Sequence, residues 1–149
     1  MIQPSALQHY SLFGGLLEEQ INEIIPLMEQ EAYEAGDAII TEGAPNDKIR
    51  FILEGKAAVT KHGLTLFRFQ EGDTFGEMEF LDMMSSAATI KALTPTKVMS
   101  LSNRSLRQIY KNDIKAFALI IMNLARDISR RLRNMDEKAT RESPHMEWN

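Results

Sequence analysis

The sequence predicts an α+β fold, a short-stranded antiparallel β-roll of the jelly-roll type with an N-terminal helix and two C-terminal helices. Three observations predict it. Two of the eight glycines stand at positions 14 and 15, six lie between Gly36 and Gly76, and none follows, so turns that need positive φ concentrate in the middle of the chain. Between those glycines run short β-branched or alternating segments. After Ser102 the apolar period becomes helical. A chain of 149 residues is long enough to bury the majority of its unfolded surface around one core.

In chain order, Leu17, Ile21, Ile24, Ile25 and Met28 recur at helical spacing and predict an amphipathic helix from Leu16 to about Gln30, bent or shortened by Pro26. This is the N-terminal helical segment, 1–30. The roll, 31–102, has strands expected at Ala38–Thr41, Arg50–Leu53, Ala57–Thr60, Leu64–Phe69, Thr89–Leu93 and Lys97–Leu101. Gly36-Asp37, Gly43, Gly55, His62-Gly63 and Gly72-Asp73 supply the turns between them. The helices follow over 103–138: Ser102 or Asn103 caps one carrying Leu106, Ile109 and Tyr110, and Asn112-Asp113 breaks it and caps the next. In that last helix Phe117, Ile121, Leu124 and Ile128 follow one another at spacings of 4, 3 and 4, with Ile114 before them and Leu132 and Met135 after. Such a stripe predicts a homodimer through the last helix, with packing on the roll as the competing reading. Residues 139–149 read as a tail.

Composition excludes several classes of function. With no cysteine, disulfides, thiolate zinc sites and cysteine nucleophiles are ruled out. His9, His62 and His145 are scattered, with no paired histidines to ligate a metal, and no P-loop, Gly-x-Ser-x-Gly or His-Glu-x-x-His pattern occurs. An enzyme is not expected, and neither is a metal or other cofactor. No secretory signal opens the chain and no apolar run approaches membrane-spanning length, so a cytoplasmic protein is expected. The net charge of −4 hides an asymmetry: seven Lys/Arg face fifteen Asp/Glu in residues 1–102, whereas ten face four in 103–141. This predicts a basic helix laid over an acidic body, or one offered to an acidic partner.

The informative stretch is Gly72-Asp73-Thr74-Phe75-Gly76-Glu77-Met78-Glu79-Phe80-Leu81, with Ala87-Ala88-Thr89 after it. It reads as a strand ending at a glycine, one short helical turn, and a loop returning to a strand. A turn of this kind presents free backbone N–H groups that suit a phosphate, and a Glu beside it can accept from a sugar hydroxyl. Taken alone, a Gly-Glu pair is common and usually makes only a turn.

Phe75-Gly76-Glu77 through Ala87-Ala88-Thr89 resembles the phosphate-binding cassette of the cyclic-nucleotide-binding domain family, which includes the sensor domains of the catabolite activator protein and of cyclic-AMP-dependent kinase regulatory subunits. The likeness extends to the turn glycines in Ala35-Gly36-Asp37, Glu42-Gly43 and Ile52-Leu53-Glu54-Gly55 and to the paired helices, covering about Leu12 to Arg133. It implies a non-catalytic regulatory module that binds cyclic AMP or cyclic GMP, weakly or with altered preference. On the matching positions, Glu77 would hold the ribose 2′-hydroxyl, and the amides of Gly76, Glu77 and Met78 would face the phosphate. Ser85, Ser86 and Ala87 would complete the site, and Arg130 or Arg131 would close over base or phosphate. The family's phosphate-pairing Arg is replaced here by Ser86, and no Lys or Arg lies between Phe69 and Ile90, where Glu71, Asp73, Glu77, Glu79 and Asp82 are all acidic. A hydroxyl cannot reproduce a bidentate guanidinium. The alternative is therefore the same fold without a bound nucleotide, serving dimerisation or docking to a partner protein. Relatives that bind DNA carry a further domain after the long helix; few residues follow Arg141, so direct sequence-specific DNA binding is not expected.

Overall fold

Proline decides where the first amphipathic helix stops. A computed structural model describes residues 2–142. In it, α1 (Pro4–Leu7) precedes α2 (Glu18–Ile24), and Pro26 sits in a single 3₁₀ turn, Ile25–Leu27. The predicted helix to Gln30 is thus cut short, because Pro26 has no N–H to continue the helical hydrogen bonding. The chain instead enters β1 (Glu29–Tyr33), a mostly exposed polar edge strand that the sequence pattern did not predict.

All six predicted strands form, as β2 (Ala38–Ile40), β3 (Lys48–Glu54), β4 (Ala57–Lys61), β5 (Leu64–Phe69), β7 (Thr89–Ala92) and β8 (Thr96–Ser102). The two-residue β6 (Thr74–Phe75) joins them. The strands make two antiparallel four-stranded sheets, ordered β1-β8-β3-β6 and β2-β7-β4-β5. Arg50 opposite Phe75 sets the β3–β6 register, and Ala57 opposite Ala92 sets that of β4 with β7. At Gly55 the β3–β4 turn has φ +98°, and an added Cβ would stand 2.5 Å from the Pro95 carbonyl oxygen, so only glycine fits.

Strand alternation makes two cores out of one sheet. On β3 and β8, Ile52 and Val98 point into the roll with Ile39, Ile40, Phe69, Phe75 and Ile90. Their neighbours Ile49, Phe51, Met99 and Leu101 point outward and meet Leu12, Phe13, Ile21, Leu106, Ile120 and Leu124 from the helices.

α3 (Glu77–Asp82) is the predicted turn of helix, and α4 (Asn103–Asn112) and α5 (Ile114–Glu142) are the paired helices. Ser102 caps α4 by accepting from Ser105 N–H at 3.1 Å, and Asp113 Oδ1 accepts from Ala116 N–H at 3.1 Å to start α5. That amide, with Gln20 at 3.0 Å, holds the Asp113 carboxyl below its ordinary pKa. Helix α5 continues past the expected limit of 138 to Glu142; the rest of the expected tail, with His145, lies outside the described residues. Its buried face carries Ala116, Ile120, Asn123 and Leu124. The Asn123 amide donates to the carbonyls of Leu12 at 3.0 Å and Gly14 at 2.9 Å, and Ser11 Oγ donates to Asp127 Oδ2 at 2.8 Å.

The expected dimer seam needs correction at Leu124, which is 1% exposed within the chain's own helical core. Phe117, Ile121 and Ile128 flank that buried face half-exposed. The exposed apolar stripe is Ile114, Ala118, Met122, Ala125 and Leu132, which at 3.6 residues per turn lies roughly 80° around the helix from the expected seam. A helix packed on one side by its own chain turns its inner apolar residues away from any partner.

Candidate ligand-binding site

The cassette begins at Gly76, whose φ of +84° swings the chain from β6 into α3. An added Cβ there would lie 2.9 Å from the Lys48 carbonyl oxygen, so the crossing demands glycine. Asn46 fixes the turn from beneath: its Nδ2 donates to the carbonyls of Lys48 at 2.9 Å and Gly76 at 3.0 Å, and its Oδ1 accepts from Arg50 Nη1 at 2.9 Å. Arg50, 8% exposed, also donates through Nε to Glu31 Oε1 at 2.7 Å. A polar chain from the edge strand β1 thus ends under the cassette. The returning limb is pinned by backbone bonds, Ser86 N–H to Ala44 at 3.0 Å and Gly43 N–H to Ser86 at 2.8 Å.

A cavity of about 200 Å³ opens between the cassette, the β4–β5 hairpin and the last third of α5. Its walls are mostly apolar: Val59, Leu66, Phe67, Phe69, Phe75, Ile90 and Met135. Phe69 stacks on Phe75 at 5.4 Å and packs against Phe67 at 5.1 Å, giving the cavity a flat aromatic side. The lining also includes Glu77 and Glu79 from α3, Arg131 from α5, and Gly76, Met78, Ala87 and Ala88 of the cassette.

Glu77 is 2% exposed. A carboxylate so placed requires a charged partner, and Arg131 supplies one. Arg131 Nη1 donates to Glu77 Oε1, Nη2 donates to the Thr74 carbonyl, and the guanidinium stands 5.1 Å from the Phe69 ring centroid. Burial raises the Glu77 carboxyl above its ordinary pKa, while Arg131 pulls it down.

Of the expected site residues, the structure brings Gly76, Glu77, Met78, Ala87 and Arg131 to one cavity. Arg130 is not among them: its side chain is 68% exposed and pairs with Asp127 at 3.4 Å on the same helix. Ser85 is exposed and lines no part of the cavity. Ser86 is 3% exposed, lies outside the lining, and its hydroxyl has no hydrogen-bond partner. Neither serine lines the cavity, although the next residue, Ala87, does, and the Ser86 backbone ties the return limb to Gly43 and Ala44. Sequence reasoning missed the wall of Phe67, Phe69 and Met135; the i, i+2 placement of Phe67 and Phe69 on β5 was the available signal. Among the described residues no cluster of His, Asp or Glu is arranged to hold a metal ion, and no helix is long and apolar enough to cross a membrane.

The β-roll, its short helical turn and the long C-terminal helix together line this cavity. The chain belongs to the cyclic nucleotide-binding domain family, whose model matches residues 30–113. It is 32% identical over 104 residues to the cGMP-dependent protein kinase egl-4 of Caenorhabditis briggsae, spanning 70% of this chain and 14% of that protein. It is 28% identical over 130 residues to the cyclic AMP receptor protein of Thermus thermophilus, spanning 84% of this chain and 58% of that one. The chain thus spans less than two thirds of the length of these curated relatives. Among solved structures, a cyclic nucleotide-binding domain from Methylobacillus flagellatus superposes with a TM-score of 0.82 at 26% identity, covering 99% of this chain and 84% of that one.

Proposed function

We propose that this chain is a non-catalytic sensor module whose cavity takes a ribose-bearing, nucleotide-like ligand and binds cyclic AMP or cyclic GMP weakly. The observation that carries the reading is the buried Glu77 carboxylate facing an aromatic-walled cavity under Arg131. A carboxylate accepts two ribose hydroxyls, and the apolar side suits a base. Ligand hydroxyls would share the Glu77 carboxylate with Arg131, so occupancy would be transmitted to α5, the element that closes the cavity. We assign the output to a homodimer through the outer face of α5 or to a partner protein, in a cytoplasmic setting, without direct reading of DNA sequence.

The experiment is calorimetric titration of wild-type and Glu77→Ala protein with a ribose ligand and its 2′-deoxy analogue. Loss of affinity for the ribose ligand alone is the expected result. An equal loss for both, or a fall in melting temperature without a change in affinity, would reduce Glu77 to a structural role.

A second reading has its own support. Ser86 stands where the family places its phosphate-pairing Arg, and the exposed stripe Ile114, Met122 and Leu132 offers a contact face without any ligand. On that reading the domain is a dimerisation or docking module, and none of these ligands would bind.

A further inference from the structure

We infer that the ligand of this cavity is an uncharged ribonucleoside, not a cyclic nucleotide. The inference rests on the reading of the cavity as the ligand site and names the chemical class that it admits.

Charge decides the matter. Two acidic residues, Glu77 and Glu79, and one basic residue, Arg131, line the cavity, so its charged residues sum to a net negative charge. Its cation is already committed: the two terminal nitrogens of Arg131 serve Glu77 and the Thr74 carbonyl, and its Cζ stands over the Phe69 ring. The nearest cations of β3 are committed as well. Lys48 bridges Glu29 at 3.9 Å and Glu31 at 3.6 Å, and Arg50 is held by Glu31 and Asn46. Neither lines the cavity, and no other Lys or Arg among the described residues does. On the return limb, Ser86 is buried outside the lining and brings neither charge nor hydroxyl to it.

A phosphodiester anion would have to leave water for a cavity whose one guanidinium is paired with Glu77 and whose lining carries a second acidic residue, Glu79. Moving an ion out of water without a charged partner is the most unfavourable step that binding contains. Turning Arg131 towards the phosphate would only move the deficit, leaving the 2%-exposed Glu77 without its counterion. A nucleoside makes no such demand. Its ribose hydroxyls donate to the Glu77 carboxylate, its base lies along Phe67, Phe69 and Phe75, and no charge is transferred from water.

The test is calorimetric titration of the full chain with adenosine, guanosine and their 3′,5′-cyclic monophosphates, in wild-type and in Ser86→Arg, with Glu77→Ala as the site control. At least one nucleoside should bind wild-type tenfold or more tightly than its cyclic monophosphate. Glu77→Ala should lose nucleoside affinity at least tenfold, and Ser86→Arg should tighten the cyclic monophosphate at least tenfold. A wild-type protein that prefers the cyclic monophosphate, with that affinity lost in Glu77→Ala, would overturn the inference and leave the ligand site standing. Binding of none of the four would overturn both. The wild-type comparison decides the question even if Ser86→Arg does not fold.

Discussion

Glu77 holds a charge where the chain has removed water, and this makes it the most consequential residue of the cavity. Its carboxyl sits above its ordinary pKa, with burial as the first cause and Arg131 opposing. The folded state therefore binds the extra proton more readily than the unfolded chain does. Between the ordinary value and the raised one, stability increases as pH falls, and outside that window the contribution is level. Chemical denaturation of wild-type and Glu77→Gln across the acidic range should show this rise in the wild-type and its absence in the variant. A rise of equal size in both would assign it to other carboxylates. Protonation also removes the charge that holds Arg131, so the same titration loosens the tie between cassette and helix.

Among the elements, α5 depends on how it begins. Asp113 closes α4, whose Ile109 carbonyl it meets at 2.8 Å, starts α5 through Ala116, and accepts from Gln20 at 3.0 Å. Asp113→Ala should lower stability by about 1 kcal/mol, the usual effect of losing a helix cap, measurable as a shift in denaturation midpoint at unchanged slope. That cap was legible in the sequence, as were the six strands with their glycine turns, because side-chain chemistry there is local. β1 was not. Glu29-Gln30-Glu31-Ala32-Tyr33 carries no apolar alternation, and its edge position is decided by pairing with β8, Glu29 opposite Ser100 through Tyr33 opposite Thr96, which no local pattern encodes. Arg131 over Arg130 was legible in retrospect. Arg131 follows Leu124 by two turns on the inward face, whereas Arg130 projects from the outer side.

At the scale of the whole molecule, the fold spends the inner face of α5 on its own core and leaves the outer stripe uncovered, with Ile114, Met122 and Leu132 between 51% and 60% exposed. A homodimer through this stripe should run as a dimer in light scattering, and Met122→Glu with Leu132→Glu should give a folded monomer with ligand affinity intact. A wild-type protein that is monomeric at high micromolar concentration would refute the pairing. Leu124→Asp is no substitute for that test, since it would bury a charge in the chain's own core and unfold it. The cavity, assembled from the cassette, a hairpin and a helix far apart in sequence, was legible only in its cassette; the aromatic wall and the reach of α5 come from tertiary packing. One buried amide has a mechanical meaning. Were α5 to tilt, Asn123, clasping the carbonyls of Leu12 and Gly14, would be the fulcrum and the helix beyond it the long arm of a lever. At 1.5 Å per residue the arm from Asn123 to Glu142 measures about 28 Å, so a tilt of about 10° at the fulcrum would carry its tip about 5 Å. Arg131 lies less than halfway along that arm, so a shift imposed there would be more than doubled at the tip.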